Sequence, residues 1–165
     1  MPRSKIVKPR VYIETSVLSY LTSLPSRDII VAARQQITVE WWSTRDQFEL
    51  VVSDAVLAEA SQGDPDAAAR RLAATAGVAV IAATESAESL AAALVEGAAM
   101  PAKAAIDAVH VALATVHGVD FLMTWNCAHI ANATMRPKIE AVCRDAGFQP
   151  PVICTPEELV QEDEP

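Results

Sequence analysis

Four side chains with oxygen atoms could act together in this chain: Glu14, Glu59, Asp107 and Asn126. Glu14 directly follows a predicted first strand and Asn126 follows a predicted fourth strand, so both should face the same edge of a parallel sheet. Glu59 falls in the helix after the second strand, and Asp107 falls near the amino end of the helix before the fourth. Mg²⁺ and Mn²⁺ prefer such oxygen ligands. The spacing therefore predicts a metal site, since clustered carboxylates without a cation would repel one another.

Each of these residues also has an ordinary structural interpretation. Glu59 could be a solvated charge on an amphipathic helix, and Asn126 could be a turn residue that bonds to nearby backbone. Asp107 is harder to explain in this way, because the helix around it is so rich in Ala, Ile and Val that burial on all sides is predicted. A carboxylate in such a helix needs a partner or a metal.

The elements that must position these residues alternate along the chain. Strands are predicted at 11–13, 49–52, 78–82, 121–124 and 152–154, the third being β-branched enough for a central position. Thr15 and Ser16 can cap a first helix, and further helices are predicted at 27–47, 53–60, 65–75, 86–97, 102–116 and 136–146. Thr155, Pro156 and Glu158 predict a capping box. The fold class is therefore α/β, a mainly parallel sheet of four to five strands covered by helices on both faces.

Length and composition favour one cytoplasmic domain. The 165 residues form one predicted domain, with a core at about 10–155 and a short helix and tail at 156–165, of which 161–165 is expected to fray. No segment has the apolar block of a signal peptide or a membrane span. The three cysteines, without a CxxC pair, predict reduced thiols.

The net charge of −8 argues against a generally basic nucleic-acid-binding surface, so any nucleic acid must be met by a local patch. The candidate cations for such a patch are Arg27, Arg34, Arg45, Arg70, Arg71 and Lys103.

Three segments resemble the PIN-domain family: YIETSVLSYL at 12–21, SDAVLAEA at 53–60 and DAVHVALATVHGVDFLMTWN at 107–126. In that family an acid followed by Thr or Ser ends the first strand, a Glu follows the second, an Asp opens a later helix, and an Asp or Asn follows the fourth strand. The resemblance covers about 10–155 and implies a PIN-like three-layer sandwich. This sequence departs from the commonest pattern in having Glu14 where most members carry Asp, and Asn126 where an acid is an alternative.

The resemblance implies a metal-dependent endoribonuclease of the VapC type, the toxin of a toxin-antitoxin pair. Glu14, Glu59 and Asp107 would bind Mg²⁺ or Mn²⁺, with Asn126 as the fourth position and Ser16 and Thr124 as hydroxyl helpers. RNA would be the substrate, a small antitoxin the partner, and a homodimer the assembly.

Three further features have two interpretations each. His110 lies three residues after Asp107 on the same helical face, where it could support the site or be a hydrogen-bonded core residue. Trp125 and His129 flank Asn126 and could stack on a base, although packing is the commoner role of Trp. Trp41 and Trp42 cannot both face one core.

Rival functions remain open. Glu14 and Asn126 would suit a PIN-like binding module without catalysis. A haloacid-dehalogenase-like phosphatase would need a DxD motif where this chain has Glu14, Thr15 and Ser16. A purely structural adaptor would gain no stability from metal.

Overall fold

A computed structural model describes residues 7–97 and 99–160. Its strands are β1 (Arg10–Ile13), β2 (Glu49–Ser53), β3 (Ala79–Ile81), β4 (Phe121–Met123) and β5 (Val152–Cys154). The helices are α1 (Thr15–Thr22), α2 (Ile29–Ser43), α3 (Asp54–Ala60), α4 (Pro65–Ala74), α5 (Glu85–Glu96), α6 (Ala105–Val116), α7 (Arg136–Asp145) and α8 (Pro156–Leu159). The predicted fraying of 161–165 lies outside the described residues.

The strands form one five-stranded sheet in the order β3-β2-β1-β4-β5, and every neighbouring pair is parallel. This confirms the predicted parallel α/β sheet covered by helices. β1 lies in the centre, with Tyr12 in register with Val51 on one side and Leu122 on the other. The chain adds β2 and β3 on one side of β1, and then β4 and β5 on the other. The carboxyl end of β1 therefore borders the crevice in which such sheets bind ligands.

β3 corrects the prediction of a central strand at 78–82. It pairs only with β2 among the described residues and therefore lies at an edge of the sheet. Only Ile81 of its three residues is buried, while Val80 is 49% exposed. Its β-branched residues favoured a strand, but the position of that strand in the sheet depends on how the helical crossovers pack.

α2 is shorter than the predicted helix at 27–47. It begins at Ile29, because Asp28 Oδ1 accepts hydrogen bonds from the backbone N–H groups of Ile30 and Val31, both at 3.0 Å. It ends at Ser43 and is followed by a 3₁₀ turn at Arg45–Gln47. Trp41 is fully buried and Trp42 only partly, which confirms that one of the two faces the core.

α6 has one face at the surface, which corrects the prediction that the helix around Asp107 is buried on all sides. Ala108, Val111 and Ala112 are fully buried, whereas Ile106 is 59% exposed and the Asp107 side chain is 20% exposed. A helix rich in Ala can be apolar around its whole circumference and still have one face at the surface. The apolar surroundings of Asp107 in the sequence therefore overstated its burial.

Three of the candidate RNA-binding cations have structural roles at helix ends, and for Arg45 this is a bond from Nη1 to the carbonyl of Trp42 in the last turn of α2 at 2.9 Å. Arg70 Nε donates to the carbonyl of Thr22 at 3.0 Å, and Arg71 Nε donates to the carbonyl of Ala60 at 3.0 Å. These carbonyls lie at the carboxyl ends of α1 and α3, where a cation also offsets the helix dipole. Both arginines thus fix α4 against the helices that follow β1 and β2.

Smaller features complete the comparison with the sequence. The predicted capping box at Thr155 is wrong, because the Thr155 side chain makes no capping hydrogen bond to α8. The cysteines Cys127, Cys143 and Cys154 are free, as predicted. No helix within residues 7–97 and 99–160 has the length and hydropathy to cross a membrane.

Candidate metal centre

Glu14 caps α1 from the end of β1. The prediction that Thr15 or Ser16 caps this helix is wrong, because Glu14 Oε2 accepts the backbone N–H of Ser16 at 3.0 Å. The same oxygen accepts the hydroxyl of Thr124 at 2.8 Å and the hydroxyl of Ser16. Three donors therefore hold one carboxylate oxygen at the junction of β1, α1 and the end of β4.

Burial raises the pKa of Glu14 above its ordinary value, despite the opposing effects of His110 and of the hydrogen bonds from Ser16 and Thr124. The residue is only 4% exposed. An ionised carboxylate at this depth needs compensating positive charge. The hydroxyl and amide donors supply part of it, and a cation would supply more.

Glu59 lies on α3, which Ser53 caps by accepting the N–H of Val56 at 3.2 Å. Glu59 Oε1 accepts the Thr15 hydroxyl at 2.9 Å and also contacts His110 Nε2. Its side chain is 32% exposed. Partial burial raises the pKa of Glu59, but the hydrogen bonds from His110 and Thr15 oppose it, and the pKa lies below its ordinary value.

His110 is both a core residue and a part of the site. It is fully buried, and its Nδ1 lies 2.7 Å from the hydroxyl of Tyr12, which is itself 2.6 Å from Ser53 Oγ. On the other side of the ring, Nε2 contacts Glu59. The two interpretations offered by the sequence are therefore not exclusive.

The side chains of Glu14, Glu59 and His110 converge. One potential ligand atom from each lies within 4.8 Å of the other two. In both carboxylates one oxygen receives all the hydrogen bonds, namely Oε2 of Glu14 and Oε1 of Glu59. No donor among residues 7–97 and 99–160 bonds to the second oxygen of either residue, so each carboxylate is fixed in place with one oxygen available.

Asp107 and Asn126 lie on a neighbouring set of contacts around His129. Asp107 Oδ2 is 3.0 Å from His129 Nδ1, and Asn126 Oδ1 accepts the backbone N–H of His129 at 3.0 Å. Asp107 does not belong to the group formed by the other two acids and His110. Asn126 makes the bond expected of a turn residue. The metal-binding roles of both residues stay predictions.

The auxiliary hydroxyls predicted from the sequence lie beside Glu14. Ser16 Oγ and Thr124 Oγ1 are 3.4 Å apart, and Ser16 Oγ accepts the backbone N–H of Trp125 at 2.9 Å. Trp125 itself is 6% exposed and donates its indole N–H to Thr38 at 2.8 Å. Its role is therefore packing, with the Arg34 guanidinium over its ring at 5.2 Å.

Three contacts at the site were not predicted from the sequence. Tyr12 bonds to His110, and Thr15 bonds to Glu59. The His129 side chain pairs with Asp107. Tyr12 had one usable signal, because a phenol in an otherwise apolar central strand needs a polar partner when it is buried. Thr15 and His129 had no signal beyond their proximity to Glu14 and Asn126.

Comparison with known proteins finds a likeness in structure but none in sequence. No family model matches the chain, and no curated protein matches it in sequence. Among solved structures, Mycobacterium tuberculosis VapC20, described as a toxin that cleaves the sarcin-ricin loop, is similar with a TM-score of 0.53 and 18% identity. The likeness covers 84% of this chain and 95% of that one. At this identity it shows the fold alone, and the chain has a PIN-like fold.

Proposed function

We propose that this protein is a divalent-metal-dependent endoribonuclease and the toxin of a toxin-antitoxin pair. The observation that carries the proposal is the convergence of Glu14, Glu59 and His110 within 4.8 Å, with one oxygen of each carboxylate left without a donor. The site lies at the carboxyl end of the central strand, where open parallel sheets bind ligands. The likeness to a ribonuclease toxin supports the same assignment.

The residues present suit Mg²⁺ or Mn²⁺. Carboxylate oxygens are the ligands that hard divalent ions prefer, and such ions keep several waters and also bind substrate phosphate. A buried Glu14 near a second carboxylate is electrostatically unfavourable without a cation. Binding a divalent ion would relieve this repulsion. Glu14, Glu59, Asp107 and Asn126 are the proposed ligands.

When bound, the ion would polarise the phosphodiester and make a bound water more acidic. The protein's own residues supply the positioning. Ser16 and Thr124 hold the Glu14 carboxylate, and Thr15 holds Glu59, so neither acid has to reorganise when RNA arrives. His129 holds Asp107 in the same way on the other side of the Asn126 turn.

RNA as substrate, a small antitoxin as partner, a homodimeric state and a cytoplasmic location are parts of the proposal. They rest on the resemblance of the sequence and on the likeness to VapC20. The overall charge of −8 also suits a basic antitoxin segment. Arg27, Arg34 and Lys103 remain candidate contacts to RNA phosphates, whereas Arg45, Arg70 and Arg71 already bond to helix ends.

A binding module without catalysis is the second candidate. Two contacts favour it: Glu14 acts as a helix cap, and Asn126 Oδ1 is already occupied by a backbone N–H. Such a module would bind metal or RNA without hydrolysing it.

The test is an RNA cleavage assay. The purified protein is incubated with structured and unstructured RNAs in Mn²⁺, in Mg²⁺ and in chelator, and the 5′ and 3′ ends of the products are mapped. Glu59→Gln is compared with Asp54→Asn, which removes an exposed acid from the first turn of the same helix.

We expect discrete cuts with metal, no cuts in chelator or with Glu59→Gln, and parental cleavage with Asp54→Asn. Metal binding and RNA binding without cuts would support the binding module. Cleavage that survives chelator or Glu59→Gln would contradict the proposed site.

A further inference from the structure

The structure contains a buried chain of hydrogen bonds that runs from the cap of α3 to Glu59 on the same helix. Ser53 Oγ contacts the Tyr12 hydroxyl at 2.6 Å, that hydroxyl contacts His110 Nδ1 at 2.7 Å, and His110 Nε2 contacts Glu59 Oε1. Ser53, Tyr12 and His110 are each fully buried. These hydrogen bonds join α3, β1 and α6 around the site.

The direction of these bonds follows from counting protons. A neutral imidazole has one N–H donor and one nitrogen acceptor, whereas an ionised carboxylate only accepts. If Nε2 carries the proton, it donates to Glu59, Nδ1 accepts from Tyr12, and Tyr12 accepts from Ser53. Ser53 Oγ still accepts the N–H of Val56. Every hydroxyl and ring proton in the chain then has an acceptor.

The other two proton arrangements leave a group unpaired. With the proton on Nδ1 alone, the lone pair of Nε2 faces the Glu59 carboxylate, and two acceptors repel. With both ring nitrogens protonated, Tyr12 must accept from His110 and donate to Ser53. The Ser53 hydroxyl then has no acceptor within residues 7–97 and 99–160, and an unpaired buried hydroxyl is unfavourable.

We infer that Ser53 and Tyr12 fix His110 as the neutral Nε2–H tautomer, and that His110 is a positioning residue for Glu59 rather than a metal ligand. A protonated Nε2 has no lone pair for a metal. With Thr15, it holds Glu59 Oε1 and leaves Oε2 as the oxygen available to an ion. The effect on metal binding rests on the proposed function, while the tautomer does not.

The tautomer is measured directly by ¹⁵N NMR of the full chain labelled at histidine, without metal. Of the three histidines, His117 and His129 are assigned by His117→Gln and His129→Gln variants. Nonprotonated and protonated ring nitrogens have clearly different ¹⁵N shifts, so all three arrangements can be distinguished. We expect a nonprotonated Nδ1 and a protonated Nε2 at His110. A protonated Nδ1, alone or together with Nε2, would overturn the inference.

The positioning role is tested with Tyr12→Phe, which keeps the ring and removes the hydroxyl. Loss of such a supporting group around a metal site typically costs about 10- to 100-fold in affinity. Mn²⁺ affinity, measured by calorimetry, should fall by that factor. Thr115→Val is the matched control, because it removes another fully hydrogen-bonded, buried hydroxyl from α6 away from the site. It should bind Mn²⁺ like the parent.

A second pair of variants covers the case in which Tyr12→Phe does not fold. His110→Gln keeps an N–H donor that can reach Glu59, and His110→Leu has none. We expect Mn²⁺ binding to be weaker than in the parent for both, but clearly stronger for Gln than for Leu. Coordination of Mn²⁺ by a ¹⁵N-labelled ring nitrogen of His110 in the parent, detected as nitrogen coupling in pulsed EPR, would instead make His110 a ligand and overturn the positioning role. If the tautomer is as expected but no RNA is cut, the proposed ribonuclease is wrong and this assignment of His110 stands.

Discussion

Replacing Glu14 by Gln separates its role in the fold from its role at the metal. The Gln side-chain oxygen can accept from the Ser16 N–H and the Thr124 hydroxyl, as Glu14 Oε2 does. Its NH₂ group then takes the place of the free oxygen, and an amide NH₂ donates hydrogen bonds and has no lone pair for a cation. The variant therefore keeps the helix cap while it loses a metal ligand and a buried charge.

The expected magnitudes follow from linkage. At a Mn²⁺ concentration about 100 times the Kd, binding stabilises the folded state by about 2.7 kcal/mol. In a domain of this size each kcal/mol changes Tm by roughly 2–4 °C. The parent should therefore melt about 5–10 °C higher with saturating Mn²⁺ than in chelator. Glu14→Gln should lose most of that difference, and in chelator it should melt at least as high as the parent, because no carboxylate has to be buried.

Thermal unfolding followed by circular dichroism, with Mn²⁺ and with chelator, measures the Mn²⁺-induced rise in Tm and the Tm without metal. Asp54→Asn again serves as the control, since it changes the net charge equally at an exposed position. A full Mn²⁺-induced rise in Tm for Glu14→Gln would refute the reasoning and leave Glu14 as a helix cap. The binding module would then be the better interpretation of the site.

Four further predictions concern other parts of the chain. Asp107→Asn should abolish metal-dependent RNA cleavage with the fold intact, as judged by product mapping beside circular dichroism. In chelator, the free energy of unfolding, measured by urea titration, should fall as pH rises from about 4.3 toward the raised pKa of Glu14. In this pH range the folded chain keeps a proton on Glu14 that the unfolded chain releases. Glu14→Gln should lack this fall. Maleimide at neutral pH should label the partly exposed Cys127 in the native protein but not Cys154, whose burial raises its pKa to about 12, and mass spectrometry of peptides distinguishes them. Trp125→Phe should cost about 1–3 kcal/mol in urea unfolding, because it breaks the buried hydrogen bond of the indole N–H.

Local patterns in the chain were enough to predict most of the sheet and the edge at which the site lies. Strands at 11–13, 49–52, 121–124 and 152–154 are all present, because short apolar segments separated by helices have few other folded solutions. Glu14 directly follows one strand and Asn126 follows another, so parallel pairing was enough to predict that both lie at the same edge of the sheet. Ser53 as the cap of α3 was also predictable, because a cap bonds to backbone only three residues away.

Contacts between distant parts of the chain could not be predicted in this way. His110 meets Glu59 across 51 residues and Tyr12 across 98, and Glu14 meets Thr124 across 110. Helical and strand periodicity defines which residues share a face, but which faces meet depends on how the crossovers pack the helices on the sheet. The same packing put β3 at an edge and Ile106 at the surface, and it paired Asp107 with His129. Residue types at the ends of strands thus predict where chemistry can occur, whereas the partner of each side chain follows from packing over the whole fold.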